Sequence, residues 1–288
     1  MNIRIVSPSA AIDPQLIDKA AVVLESWGHT VSIAPHAQGK WAGFSGTKEE
    51  RLADLNEAFA DPAVEAILCS RGGYGLAQII DRVKVDERKL LIGFSDITCL
   101  HCLCANHEMP SLHSIMAKHI ASLPADSDPI KTLRTILDGG KNISYTLPTD
   151  SLSRKGKATG ILRGGNLSVF YGLQGTPFEV KKKDTILFIE DVEEPQYHID
   201  RMLQNLRLSG LLASVKGVIF GQFAGCKDDE RVGCSLNETL LNSVAPYNIP
   251  VIMNFPAGHV EYNLPMMLNQ QVEISIDDNH TTFTQQLH

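Results

Sequence analysis

The sequence has no surplus of positive charge. Its 33 Asp and Glu outnumber its 26 Lys and Arg, for a formal charge of −7. Such a chain has little with which to neutralise a phosphate backbone, so nucleic acid is excluded as its main partner. It also lacks a long hydrophobic run. Apolar stretches such as Ala66–Cys69 are far too short to cross a bilayer. The opening MNIRIVSPSAA has one early Arg but no apolar core, so it does not read as a signal peptide. The closing Gln285-Gln286-Leu287-His288 is not a lipidation box. Cysteine is sparse, six in 288 residues at irregular positions (69, 99, 102, 104, 226 and 234). That usage suits free thiols in a reducing compartment, and a cytoplasmic location is expected. There is no internal repeat and no low-complexity tract.

What is present is ordinary for a soluble enzyme: 43% hydrophobic and 20% charged residues. The length fits one large domain or two modest ones. Short apolar runs at 3–6, 30–34, 63–69 and 90–94 read as strands. Between them lie helical signals. Asp13 is placed to cap a helix with Pro14 at its first position, and Ile17, Ala20, Ala21 and Leu24 recur at helical spacing. Thr47 and Glu50 form a capping box ahead of Leu52, Leu55 and Phe59. Residues 76–83 and 97–104 also read as helices. The alternation predicts an α/β fold with a parallel sheet covered on both faces. Periodicity fades over 141–158, where a domain boundary is expected. Beyond it, strands are expected at 160–166, 184–189, 216–220 and 251–255, helices from 167 and around Ile199, Met202, Leu203 and Leu206, and a hairpin over 271–284.

Four features could carry chemistry. Ser95 follows a buried-type strand and precedes a helix, inside Gly93-Phe94-Ser95-Asp96. A serine on such an elbow is lifted out of the sheet, and the helix N-terminus favours an oxyanion nearby. A plain helix cap is the alternative, and the second Gly of G-x-S-x-G is missing. Arg71-Gly72-Gly73-Tyr74-Gly75 follows another strand and should lie at the same sheet edge. Its spacing matches neither G-x-G-x-x-G nor a P-loop, leaving an oxyanion contact from Gly73 or a tight turn. Glu190-Asp191 ends an apolar strand where burial should end, and His259 ends another. The order serine, acid, histidine occurs in nucleophile-elbow hydrolases. Cys99, His101, Cys102, Cys104 and His107 tempt a metal reading, but no second C-x-x-C supports it, and neither metal nor cofactor is expected. The lysines at 181–183 read as a solvated turn.

Five ordered segments tie these features together: SRGGYGLAQIID (70–81), IGFSDITCLH (92–101), GILRGGNLSVFYGLQGTP (160–177), ILFIEDVEEPQYHIDRMLQNLRLSGLL (186–212) and FPAGH (255–259). In them the chain resembles the LD-carboxypeptidase family of serine peptidases, which also includes the microcin C immunity peptidases. The resemblance implies a Rossmann-like N-terminal domain and a smaller β-rich α/β C-terminal domain. With the boundary above, these become residues 1–145 and 159–288, joined by a linker at 146–158. It implies Ser95 as nucleophile, His259 as base and Glu190 as the acid that orients it, with the backbone N–H groups of Gly73 and Asp96 as oxyanion hole. Arg71, Gly72, Tyr74, Arg163, Asn166 and Arg201 become candidate substrate contacts, the arginines for a terminal carboxylate. The implied substrate is a cytoplasmic muropeptide losing a C-terminal D-alanine, and the implied assembly a homodimer. Two alternatives remain, an immunity peptidase acting on peptidyl- or aminoacyl-nucleotides and a non-catalytic module binding a small anion. The chain departs from the usual pattern at His113-Ser114-Ile115-Met116, at His198 and at Pro265-Met266-Met267.

Overall fold

A computed structural model describes residues 1–86, 88–180 and 183–287. Lys181 and Lys182, part of the basic run expected to form a solvated turn, lie outside the described residues. The chain divides into two compact units, one of residues 1–140 and 261–268, the other of residues 141–260 and 269–288.

The first unit is built on β1 (Asn2–Val6), β2 (Thr30–Ile33), β3 (Ala66–Cys69), β4 (Leu90–Gly93) and β5 (Ser111–His113). They run parallel in the order β2-β1-β3-β4-β5. This is the doubly wound arrangement of the flavodoxin type, whose strand order reverses between β1 and β3. A sixth strand, β11 by its place in the chain (Met266–Leu268), closes the β5 edge antiparallel. Most central-strand residues are buried, as a parallel sheet covered on both sides requires. Helix Pro14–Ser26 starts as expected: the Asp13 side chain accepts the N–H of Gln15 at 3.0 Å, and Ile17, Ala20 and Leu24 face inward. Helix Lys48–Ala60 carries the complete Thr47–Glu50 capping box. Residues 76–83 form two short 3₁₀ turns, Leu76–Gln78 and Ile80–Arg82, in place of the expected helix.

The second unit holds one seven-stranded sheet in two halves. β7 (Gly156–Asn166), β8 (Thr185–Val192), β9 (Gly217–Ala224) and β10 (Val251–Ile252) are parallel. β12 (Gln271–Ile276), β13 (His280–Gln286) and β6 (Asn142–Pro148) continue from β7 with antiparallel pairing. The expected hairpin is present, with Ile276 opposite Thr281 and the Asp277 carboxylate accepting the N–H groups of Asn279 and His280 at 2.8 Å. The stretch read as linker is structured: β6 ends and β7 begins inside it. β6 escaped the sequence reading because it lies at the sheet edge, where alternate residues face solvent. No helix among the described residues is long and apolar enough to cross a membrane.

Candidate active site

At the carboxyl edge of the first sheet, β4 stops at Gly93, Phe94 continues extended, and Ser95 turns into the left-handed region at φ 68°. A non-glycine residue held there stores of the order of 1 kcal/mol and persists only where its surroundings fix it. They do. Next to it, Asp96 is buried, and its carboxylate accepts the Ser9 hydroxyl at 2.6 Å and the Leu76 N–H at 3.0 Å. One side chain thus ties together the loops after β1, β3 and β4. Burial raises the Asp96 pKa, opposed by those two hydrogen bonds. Asp96 also lies in the first turn of a helical segment, where N–H groups have no intrahelical partner.

The Gly-rich loop meets Ser95 directly. A Cβ placed on Gly72 would stand 2.6 Å from Ser95 Cβ and 2.8 Å from its Oγ, so only glycine fits. Buried Arg51, which the sequence reading passed over, secures the loop. Its guanidinium donates to the carbonyls of Pro8 at 2.7 Å and Gly75 at 3.1 Å and to Gln78 Oε1 at 3.0 Å. Gly73 is at the exposed tip, and Tyr74 is exposed beside Phe44, ring centroids 5.9 Å apart. Arg71 donates to the Ala11 carbonyl at 3.0 Å.

The second unit brings Glu190 and His259 together. His259 Nδ1 lies 2.8 Å from Glu190 Oε2, and Glu190 is fully buried. A carboxylate only accepts, so Nδ1 carries the proton and Nε2 is left as the basic nitrogen. Glu190 is within β8, not at the point where burial ends as expected; burial continues through Asp191. His259 lies beyond the two-residue β10 on a loop fastened to β9, where Phe255 N–H reaches Phe220 O at 3.0 Å and Gln222 N–H reaches Ala257 O at 2.9 Å. Gly258, at φ 124°, lets the loop pass: a Cβ there would lie 2.7 Å from Glu190 Oε2.

Asp191 was read only as half of an acidic pair. It accepts from Asn166 Nδ2, Ser168 N–H and Val192 N–H, each at 2.9 Å, and burial pushes its pKa up to about 6. Asn166, a candidate substrate contact, is occupied here as partner of Asp191 and N-cap of helix Leu167–Gly172. Arg163 is not brought to the pair. It donates to Thr185 Oγ1 at 2.7 Å, at the opposite end of β8 from Glu190; five strand residues span about 16 Å. Arg201 is exposed on helix Gln196–Leu208, its guanidinium 5.5 Å from the Tyr197 ring centroid. Among the departures, His198 bonds Glu194 at 2.7 Å, and buried His113 bonds Asn263 at 3.2 Å. The thiols of Cys99, Cys102 and Cys104 are buried, and burial raises all three, Cys104 to about 12.

A serine held in strained backbone at the head of a helix, and a histidine with one nitrogen committed to a buried carboxylate, are the components of a serine hydrolase. The family profile described as the LD-carboxypeptidase N-terminal domain matches residues 3–114, and that of the C-terminal domain residues 159–274. A probable murein peptide carboxypeptidase of Bacillus subtilis is 33% identical over 90% of this chain and 83% of its own length. The fold matches a muramoyltetrapeptide carboxypeptidase from Oxalobacter formigenes at TM-score 0.88 and 24% identity, covering 99% of this chain and 98% of that one. It also matches an MccF-like protein from Bacillus anthracis at TM-score 0.85 and 24% identity, covering 100% and 97%. The chain belongs to the LD-carboxypeptidase family and is a serine peptidase of the carboxypeptidase type.

Proposed function

We propose that the protein removes a C-terminal D-alanine from cytoplasmic muropeptides, cutting the bond between the L-configured centre of a diamino acid and the terminal residue. The observation that carries this reading is the 2.8 Å contact of His259 Nδ1 with buried Glu190, because it leaves Nε2 as a base. In the proposed reaction, Nε2 takes the Ser95 hydroxyl proton as Oγ attacks the scissile carbonyl. The N–H groups of Gly73 and Asp96 receive the oxyanion. The protonated imidazole then gives its proton to the leaving amine, and D-alanine departs. Water, deprotonated by His259, hydrolyses the acyl-enzyme. Glu190 holds the His259 ring and stabilises the imidazolium through the Nδ1 contact. The muropeptide is proposed from the name of the B. subtilis relative. A role in murein recycling and a homodimeric assembly belong to the same proposal.

The test is mass spectrometry of products from defined tetrapeptides ending in D- or L-alanine, alongside acyl-sulfamoyl-adenylates. Release of D-alanine alone, abolished in Ser95→Ala, is the expected result. Cleavage of the adenylates with no action on either tetrapeptide would replace the muropeptide by a nucleotide-linked substrate. Glu190→Gln should fold normally yet lose about 10³- to 10⁴-fold in kcat, as other triad acids do. Near-normal turnover removes Glu190 from the scheme.

A further inference from the structure

We propose that His101 is a positioning residue for Ser95, acting through the carbonyl of Gly93; this rests on the nucleophile reading above. His101 is buried on helix Thr98–Asn106. Its Nε2 lies 2.9 Å from Gly93 O, and its Nδ1 lies 2.8 Å from Ser111 Oγ. A carbonyl oxygen can only accept, so Nε2 bears the proton. Nδ1 is then an acceptor, and the Ser111 hydroxyl donates to it. Burial keeps the ring neutral by pushing its pKa down to about 4, which preserves this single tautomer.

The consequence runs along the backbone. The Gly93 carbonyl and the Phe94 N–H share one peptide plane. Fixing that oxygen fixes the plane from which the chain enters Phe94 and then the strained Ser95. The oxygen is held from two sides, by His101 and by the Ser114 N–H at 3.2 Å. The Phe94 ring packs between those of His113 and His119, with centroids 5.6 and 5.3 Å away. Beyond Ser95, Asp96 is clamped by Ser9 and Leu76. The serine is thus suspended between two immobilised neighbours, and His101 is the titratable side chain that sets the plane on the strand side. Loss of its N–H leaves the oxygen with the Ser114 bond alone and lets the plane rotate. The effect belongs to the chemical step, because Oγ must lie within a fraction of an ångström of its attack position.

The test compares His101→Leu, which deletes the donor, with His101→Gln, whose amide can donate to the same carbonyl. We expect His101→Leu to lose about 30- to 100-fold in kcat and in the rate of Ser95 labelling by a fluorophosphonate, with KM within about twofold, and His101→Gln to recover about tenfold or more. A folded His101→Leu with wild-type rates overturns the proposal, and so does a His101→Gln no better than His101→Leu. If His101→Leu does not fold, Ser111→Ala carries the test, since it removes the donor that holds the ring; an unchanged labelling rate overturns the proposal. Wild-type protein that labels at Ser95 without releasing alanine would sink the muropeptide reading and leave labelling to decide on His101. Wild-type protein that neither labels nor turns over removes Ser95 as nucleophile, and His101 with it.

Discussion

At the scale of single residues, the tightest constraint around Ser95 is the hydrogen atom that Gly72 has in place of a side chain. Gly72→Ala would put a methyl group 2.6 Å from Ser95 Cβ. Overpacking of this kind typically costs about 1–3 kcal/mol. A urea titration should show that loss, and fluorophosphonate labelling should fall further than stability explains, because the serine itself must move. His101 supplies a second prediction. Its pKa is about 4 in the folded protein and near the ordinary imidazole value of 6.5 when unfolded. The unfolded chain therefore binds the extra proton, and the stability gained from a neutral ring is complete above about pH 6.5 and lost as pH falls towards 4. In His101→Gln, the acid-side fall of Tm between these limits should be shallower than in wild type. An equally steep fall places the titration elsewhere. The candidate residues differ in how far the sequence exposed them. Ser95 was visible because its strand and helix are continuous in sequence. Arg51, Asp191 and His101 were not. Each acts on groups brought near by folding, such as Pro8 and Gly75 for Arg51, and no spacing encodes that. Arg163 was chosen for its charge, and the strand carries that charge to the end of β8 away from Glu190.

At the scale of elements, local rules held where local energies decide. The Asp13 cap, the Thr47–Glu50 box and the 277–280 turn all stand as read from the sequence, since each closes within a few residues. Thr47→Ala should therefore cost about 1 kcal/mol in a urea titration, the usual loss for a cap. A larger loss would mean that the box also positions Arg51, four residues on. Local rules failed where tertiary contacts outbid them. Residues 76–83 have a helical pattern, yet the Leu76 N–H is taken by Asp96, and the Gly75 carbonyl and Gln78 side chain by Arg51. Those bonds pin the head of the segment to its neighbours, and it is built as two 3₁₀ turns. β6 was missed because an edge strand needs little apolar pattern, and the strand expected at 251–255 is only two residues long, Val251–Ile252.

At the scale of the whole molecule, neither unit is a continuous stretch of chain. The sheet of the first unit takes its edge strand from Met266–Leu268, more than 120 residues after the rest of that unit. The sequence reading cut the chain once, near 145, because composition changes there, and nothing in composition marks eight residues that return. A fragment of residues 1–140 should accordingly expose the β5 edge. We expect it to bind ANS and to self-associate on size-exclusion chromatography. A monodisperse fragment with native-like near-ultraviolet circular dichroism would show that the returning strand is dispensable.

That return also sets an order of events during translation. β5 is synthesised some 150 residues before its antiparallel neighbour, so the sheet that carries Ser95 has one flank open while nearly all of the second unit is made. The partner arrives only after residue 259 has been added. A nascent chain therefore completes the sheet beneath Ser95 only once His259 has been added, and a ribosome stalled before residue 266 would hold Ser95 on an unfinished sheet.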